Sequence, residues 1–122
     1  MEYITNFKKE SDWMTRLASS RHLRNKYTNK IPVLIDRLKK TTPKPLRQRF
    51  LIPKDMKGGE FMHVVRKYIE KITPEQGIYL FVGDAKTLFP NSLLMSEIYV
   101  QYKDADDFLY IVYDYENTFG CE

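Results

Sequence analysis

Six consecutive β-favouring apolar residues, Phe108-Leu109-Tyr110-Ile111-Val112-Tyr113, leave no polar face. A strand of that kind has to be covered on both sides, so the segment predicts a central strand with a layer above and a layer below the sheet. The rest of the 122-residue chain must supply neighbours for this strand or cover for its faces. Behind it the sequence thins into a polar tail that ends in Phe119-Gly120-Cys121-Glu122. A lone aromatic beside a glycine is unexpected where termini usually carry little information.

The other elements can be assigned by period and punctuation. Phe7, Trp13, Leu17, Leu23 and Tyr27 lie among many charges and predict a short helix, then a longer one from about Ser11 to Asn25, with Ser11 or Asp12 as its cap. Trp13 is expected to pin this pair to the body of the domain. Ile31 to Ile35 reads as a strand with Ile31, Val33 and Ile35 on one face and Pro32 and Leu34 on the other. After a loop with Pro43 and Pro45, Arg49 to Pro53 reads as a short edge strand. Phe61, Val64, Val65, Tyr68, Ile69 and Ile72 form one wide helical stripe, with Asp55 as candidate cap, Gly58-Gly59 at the entry and Thr73-Pro74 as terminator. Ile78 to Val82 is a third strand closed by Gly83-Asp84, and Asn91 or Ser92 can cap a last helix through Leu93, Leu94, Met95, Ile98 and Tyr99. The expected fold is α+β: a four-stranded mixed sheet rolled on a central helix, with two additional N-terminal helices. Residues 1–27 are read as a helical extension packed on the core, 28–115 as the core and 116–122 as a flexible tail.

Composition narrows the function. The longest apolar run is far below the roughly 20 residues that cross a bilayer, and no apolar leader is seen, so a cytoplasmic protein is expected. Cys121 is the only cysteine, which rules out an internal disulfide. His22 and His63 have no companion cysteine, so no metal is expected, and no cofactor motif is present. Residues 1–54 hold 14 Lys/Arg against 4 Asp/Glu, whereas the remainder holds 6 against 12, which suggests an acidic partner for the first half. The lack of an aromatic-studded RNA-binding strand or an Arg-clustered recognition helix argues against nucleic acid. No Ser/His/Asp order, paired carboxylates or phosphate loop marks an enzyme: Gly58-Gly59 lacks the following Lys-Ser/Thr.

Several stretches recur in one order and spacing: Lys26-Tyr27 before Lys30-Ile31-Pro32-Val33, Arg49-Phe50-Leu51-Ile52-Pro53 with Asp55, Gly59-Glu60-Phe61, and Val65-Arg66-Lys67. Phe81-Val82, Met95 to Tyr99, Phe108 to Ile111, Tyr113 and Phe119-Gly120 continue the series across nearly the whole chain. In these residues the sequence resembles the GABARAP-type autophagy modifiers, the autophagy-related protein eight family of ubiquitin-like proteins. The resemblance implies a β-grasp roll and a modifier that is not an enzyme. It implies that a processing cysteine protease removes Cys121 and Glu122 behind Phe119-Gly120. Activating and conjugating enzymes then carry the Gly120 carboxylate to the amine of phosphatidylethanolamine, anchoring the protein on autophagosomal membranes. Glycine suits that path because, without a Cβ, it passes narrow channels and presents an unhindered carbonyl to a thiolate.

The resemblance also implies recruitment of autophagy receptors carrying aromatic-x-x-aliphatic motifs, and strand parity says where. Leu23, Pro32, Leu34, Leu51 and Phe108 form a first pocket, and Phe50, Ile52, Pro53, Met56, Phe61 and Val64 a second. An extended peptide added to the edge strand would place one side chain in each, with Lys30, Arg47 and Arg49 as a basic rim for its acidic flanks. The chain departs from the family's usual pattern at Ser19, at Thr28-Asn29 and in the loop before Arg47, departures that leave the fold reading intact and the family's partner preference open. A protein-conjugated or unconjugated binding module, and more remotely a nucleic-acid-binding module, are the alternatives.

Overall fold

A computed structural model of the chain describes residues 1–116. Its elements run α1 (Glu2–Glu10), α2 (Trp13–Lys26), β1 (Lys30–Arg37), β2 (Arg49–Pro53), α3 (Gly58–Lys67), β3 (Ile78–Val82), β4 (Thr87–Leu88), α4 (Met95–Tyr102) and β5 (Leu109–Tyr115). The sheet order is β2-β1-β5-β3-β4, with β1 and β5 parallel and every other pair antiparallel. The apolar run is therefore central, as its two apolar faces require. The sheet has five strands, not four. The additional one is the two-residue β4, which carries no period of its own and pairs only because the left-handed residues Gly83, Asp84 and Ala85 fold the chain back onto β3.

One face of the sheet packs on α3. Ile31, Val33 and Ile35 join Phe50, Ile52, Phe61, Val65, Leu80, Ile98, Leu109, Ile111 and Tyr113 in a single buried cluster. The helix ends earlier than its apolar stripe. Tyr68 is the C-cap, Lys71 is left-handed at φ 57°, and Ile69 and Ile72 reach the core from the following turns. Apolar spacing alone cannot tell a helix from a helix followed by a tight turn. The cap is also shifted, since Glu60 accepts from the Lys57 N–H at 3.1 Å and Asp55 takes no part. Gly58 lies inside the first turn, where a Cβ would stand 2.9 Å from the Phe89 ring and 3.0 Å from the Pro90 carbonyl. The last helix likewise starts at Met95, with Glu97 accepting from the Leu94 N–H at 2.9 Å in place of a cap by Asn91 or Ser92.

The other face of the sheet is covered by α1 and α2. Asp12 caps α2 by accepting from the Thr15 N–H at 2.8 Å. Trp13 does not pin the helices, because it is 44% exposed. That role falls to Arg16, whose Nε donates to the fully buried Asp106 at 2.8 Å, while Ser20 Oγ donates to the Asp106 carbonyl at 2.6 Å. Phe108 N–H and the Tyr110 hydroxyl complete the shell of that carboxylate. A buried ion pair needs such extra partners to offset the cost of desolvation.

A second tie joins Lys8 Nζ to Asp104 at 2.9 Å. Burial would raise the Asp104 carboxyl, but bonds from Lys8 and the Asp106 N–H outweigh it and hold the group below its ordinary value of 3.8. The folded pKa thus lies below the unfolded one, so this contribution is complete above the ordinary value and is lost as pH falls through the folded pKa. Hydrogen exchange should show α1 protection falling in that acid window, and the pH dependence should shrink in Lys8→Ala. Protection that stays level through the window in the parent protein would rule out this tie as the anchor of α1.

Candidate functional site

β2 is the exposed edge of the sheet next to α2. Hydrogen-bonded pairs alternate along an antiparallel ladder, and the Ile35 N–H donates to Gln48 C=O at 2.8 Å. Counting from there, Val33/Phe50 and Ile31/Ile52 exchange bonds inside the sheet, leaving the backbone groups of Arg49 and Leu51 turned outward. The Arg49 carbonyl is occupied by the Arg47 side chain, whose Nε donates at 2.9 Å. Pro32 sits opposite Leu51, at a position that asks no N–H of it.

Beside this edge lies a cavity of about 600 Å³. The five first-pocket residues, Leu23, Pro32, Leu34, Leu51 and Phe108, all line it, as do the rim residues Lys30, Arg47 and Arg49. Strand parity brings Pro32, Leu34 and Leu51 to this face, and the four-residue spacing turns Ser19 and Leu23 of α2, and Tyr27 at its C-cap, toward it. Tyr27 and Ser19 were not singled out as pocket residues from the sequence, although that spacing carried the signal. Phe7 was also missed: it meets Phe108 edge-on at 5.6 Å. Arg49 is held partly by α1, since its Nε donates to the Tyr3 hydroxyl at 3.0 Å and its guanidinium lies 5.6 Å from the Phe7 ring centre. Arg47 stacks over Phe50 at 4.9 Å and Tyr68 at 5.8 Å.

The second group of residues is less open. Phe50, Ile52 and Phe61 are buried in the core cluster, with Phe50 edge-on to both Phe61 and Tyr68. Met56 and Val64 pack against that cluster half-buried, and Pro53 is half-buried at the end of β2. Phe119, Gly120, Cys121 and Glu122 lie outside the described residues. The last described residue, Glu116, is held from three sides: its N–H donates to Gly77 C=O at 2.8 Å, Gln76 Nε2 donates to its carbonyl at 3.0 Å, and the Tyr79 hydroxyl donates to its carboxylate at 3.2 Å.

Residues 15–120 match the family described as Autophagy protein Atg8 ubiquitin like. The chain belongs to the Atg8 family. Among its curated Atg8 relatives, Autophagy-related protein 8A of Oryza sativa subsp. indica is 44% identical over 117 residues, covering 95% of this chain and 96% of the relative. Autophagy-related protein 8 of Dictyostelium discoideum is 37% identical over 123 residues, covering 100% and 99%. The crystal structure of Trypanosoma brucei ATG8 is similar with a TM-score of 0.81 at 30% identity, covering 93% of this chain and 97% of that one. Plasmodium falciparum Atg8, solved in complex with a Plasmodium falciparum Atg3 peptide, gives 0.78 at 33% identity, covering 88% and 94%. The expected fold class and family are thereby established, and this Atg8-family chain is an autophagy ubiquitin-like protein.

Proposed function

We propose that the chain is a modifier and not a catalyst, processed to Gly120, joined to phosphatidylethanolamine, and used on the membrane to recruit receptors carrying aromatic-x-x-aliphatic motifs. The observation that carries the receptor half is the apolar cavity set against the outward backbone groups of β2. A peptide added there forms bonds with Arg49 and Leu51 that any sequence can make, displaces Arg47 from the Arg49 carbonyl, and is selected by the side chain it buries. The aromatic residue goes between Leu23, Pro32, Leu34, Leu51 and Phe108. The aliphatic residue goes to the half-buried surface of Pro53, Met56 and Val64, under which Phe50, Ile52 and Phe61 form the floor. Support also comes from the relative solved with an Atg3 peptide, which makes peptide capture from a conjugating partner a natural use of the same fold.

The conjugation half rests on the family and on Phe119-Gly120, where the family match stops. Among the described residues no helix is long and apolar enough to cross a membrane. Attachment through a joined lipid would supply what the helices do not. The partners are then a processing cysteine protease, the activating and conjugating enzymes, and the receptors. The protein is cytoplasmic until lipidated and autophagosomal afterwards.

Leu51→Ala tests the groove. It removes a cavity wall that is only half-buried, so calorimetry with an aromatic-x-x-aliphatic peptide should show a loss of about 1–3 kcal/mol while the protein stays folded. Parent-like binding by Leu51→Ala would reject the groove. Salt should matter little for the parent, because Lys30, Arg47 and Arg49 act at an exposed rim where screening over about 8 Å already operates at physiological ionic strength. A thousandfold fall in affinity between low and physiological salt would instead point to a polyanion as the ligand.

A further inference from the structure

Ser19 and Leu23, with Tyr27 at the C-cap, turn one side of α2 to the receptor groove, and its other flank borders a separate recess of about 470 Å³. Arg21, Arg24 and Lys54 surround this recess with Asn25 and Thr28, against a single carboxylate, Asp107. That carboxylate is already answered, by Lys103 Nζ at 2.8 Å and by Arg21 Nε at 3.7 Å. Among the described residues neither Arg24 nor Lys54 takes part in an ion pair. The Arg24 guanidinium is nevertheless held in place, 5.0 Å from the centre of the Tyr99 ring. Tyr99 is itself fixed: it is buried, its hydroxyl donates to the Asp107 carbonyl at 2.6 Å, and burial pushes its phenol up to about 12.

A half-buried guanidinium oriented by an aromatic ring and lacking a counter-ion is prepared for an anion with several acceptor oxygens. A second cation and two neutral donors beside it favour a dianion over a carboxylate. We propose that this recess binds a phosphate monoester carried by a phosphorylated side chain of a peptide partner. The phosphate would lie between Arg24 and Lys54, with Arg21 completing the charge and Asn25 and Thr28 donating hydrogen bonds.

Position favours a peptide over a lipid head group. β1 and β5 run parallel, with Val33 opposite Leu109 and Arg37 opposite Tyr113, so β5 leaves the sheet at the Arg37 end. The recess is at the opposite end, beside Thr28 and ahead of Lys30. Eight residues of β1 separate the two ends, roughly 23 Å at the rise of a strand. A tether through the C-terminal tail is thus attached at the end of the sheet far from the recess. Lys54, by contrast, directly follows Pro53, the last residue of β2, so a peptide lying on that edge passes the mouth of the recess as it leaves. The assignment of the phosphate to a peptide rests on reading β2 as a peptide-binding edge.

Calorimetry on the full chain tests it, using an aromatic-x-x-aliphatic peptide with one phosphoserine moved residue by residue along either flank. At one position the phosphate should raise affinity roughly tenfold over the unphosphorylated peptide. That gain should vanish in the doubly substituted Arg24→Gln, Lys54→Ala protein, whose affinity for the unphosphorylated peptide should match the parent's. A gain that survives the double substitution, or no gain at any position, overturns the proposal. If the unphosphorylated peptide fails to bind, the groove reading fails separately, and a nuclear magnetic resonance titration with free O-phosphoserine decides the recess. Saturable shifts at the Asn25 and Thr28 amides that are lost in the double variant uphold the site, and their absence overturns it. Vesicles containing a phosphatidylinositol monophosphate form the last arm. Binding to them that exceeds the best phosphopeptide and depends on Arg24 and Lys54 would overturn the peptide assignment.

Discussion

Phe50→Ala is expected to lower the stability of the whole domain by about 3–5 kcal/mol, because it empties the core and does not merely widen a pocket. Phe50 is only 6% exposed, and its ring meets Phe61 at 6.1 Å and Tyr68 at 5.4 Å, both nearly edge-on. Arg47 lies over the same ring at 4.9 Å, so the truncation also strips a rim cation of its support. Its neighbour Leu51 faces the opposite side of the sheet and is half-buried in the cavity wall. Leu51→Ala should therefore weaken peptide binding with little change in thermal midpoint, whereas Phe50→Ala should lower the midpoint by on the order of 10–20 °C. Thermal unfolding followed by circular dichroism, beside calorimetry on each protein, separates the two. Phe50 also borders the cavity, so a Phe50→Ala protein that melts with the parent yet loses the peptide would make its part in the cavity wall, and not its part in the core, the one that matters.

That contrast separates what the residues alone decide from what only the fold decides. Alternation decides the face of a strand residue, so it turned Pro32, Leu34 and Leu51 to the cavity and Val33, Phe50 and Ile52 into the core cluster, although Val33 and Phe50 border the cavity as well. It says nothing about depth. A closed core and an open pocket both present apolar side chains at every second position, so Phe50, Ile52 and Phe61 were grouped with the accessible Pro53, Met56 and Val64. The position of the last strand was legible for a similar reason, since only a central strand tolerates two apolar faces. The size of Trp13 does not decide its burial, and the group that anchors α2 is polar: Arg16 to Asp106, across 90 residues of sequence. Long-range pairs of opposite charge leave no local pattern. The recess beside Arg24 was equally hidden, because Arg21, Arg24 and Lys54 belong to a basic half whose charges look alike until the fold shows which of them lack a carboxylate.

Gly120→Ala is expected to reduce both removal of Cys121-Glu122 and transfer to phosphatidylethanolamine by about a hundredfold or more, leaving the fold unchanged. On the proposed route both steps pass the same carbonyl through enzyme sites that must align it with a thiolate, and a small displacement of a reacting atom costs about a factor of a hundred. A methyl at residue 120 crowds that carbonyl on the one side where glycine offers none. The domain is insulated from the change, because its last described residue, Glu116, is already fixed by Gly77, Gln76 and Tyr79. Peptide affinity and thermal midpoint should thus equal the parent's, which makes this variant the converse of Leu51→Ala: one keeps the groove and loses the tail chemistry, the other the reverse. Intact mass after incubation with the processing protease reads the first step, and a reconstituted conjugation reaction on phosphatidylethanolamine vesicles, started from a chain already ending at residue 120, reads the second. Full yield of lipidated product from the alanine variant would show that the enzymes do not require glycine, and the assignment of residue 120 as the conjugated end would fall with it.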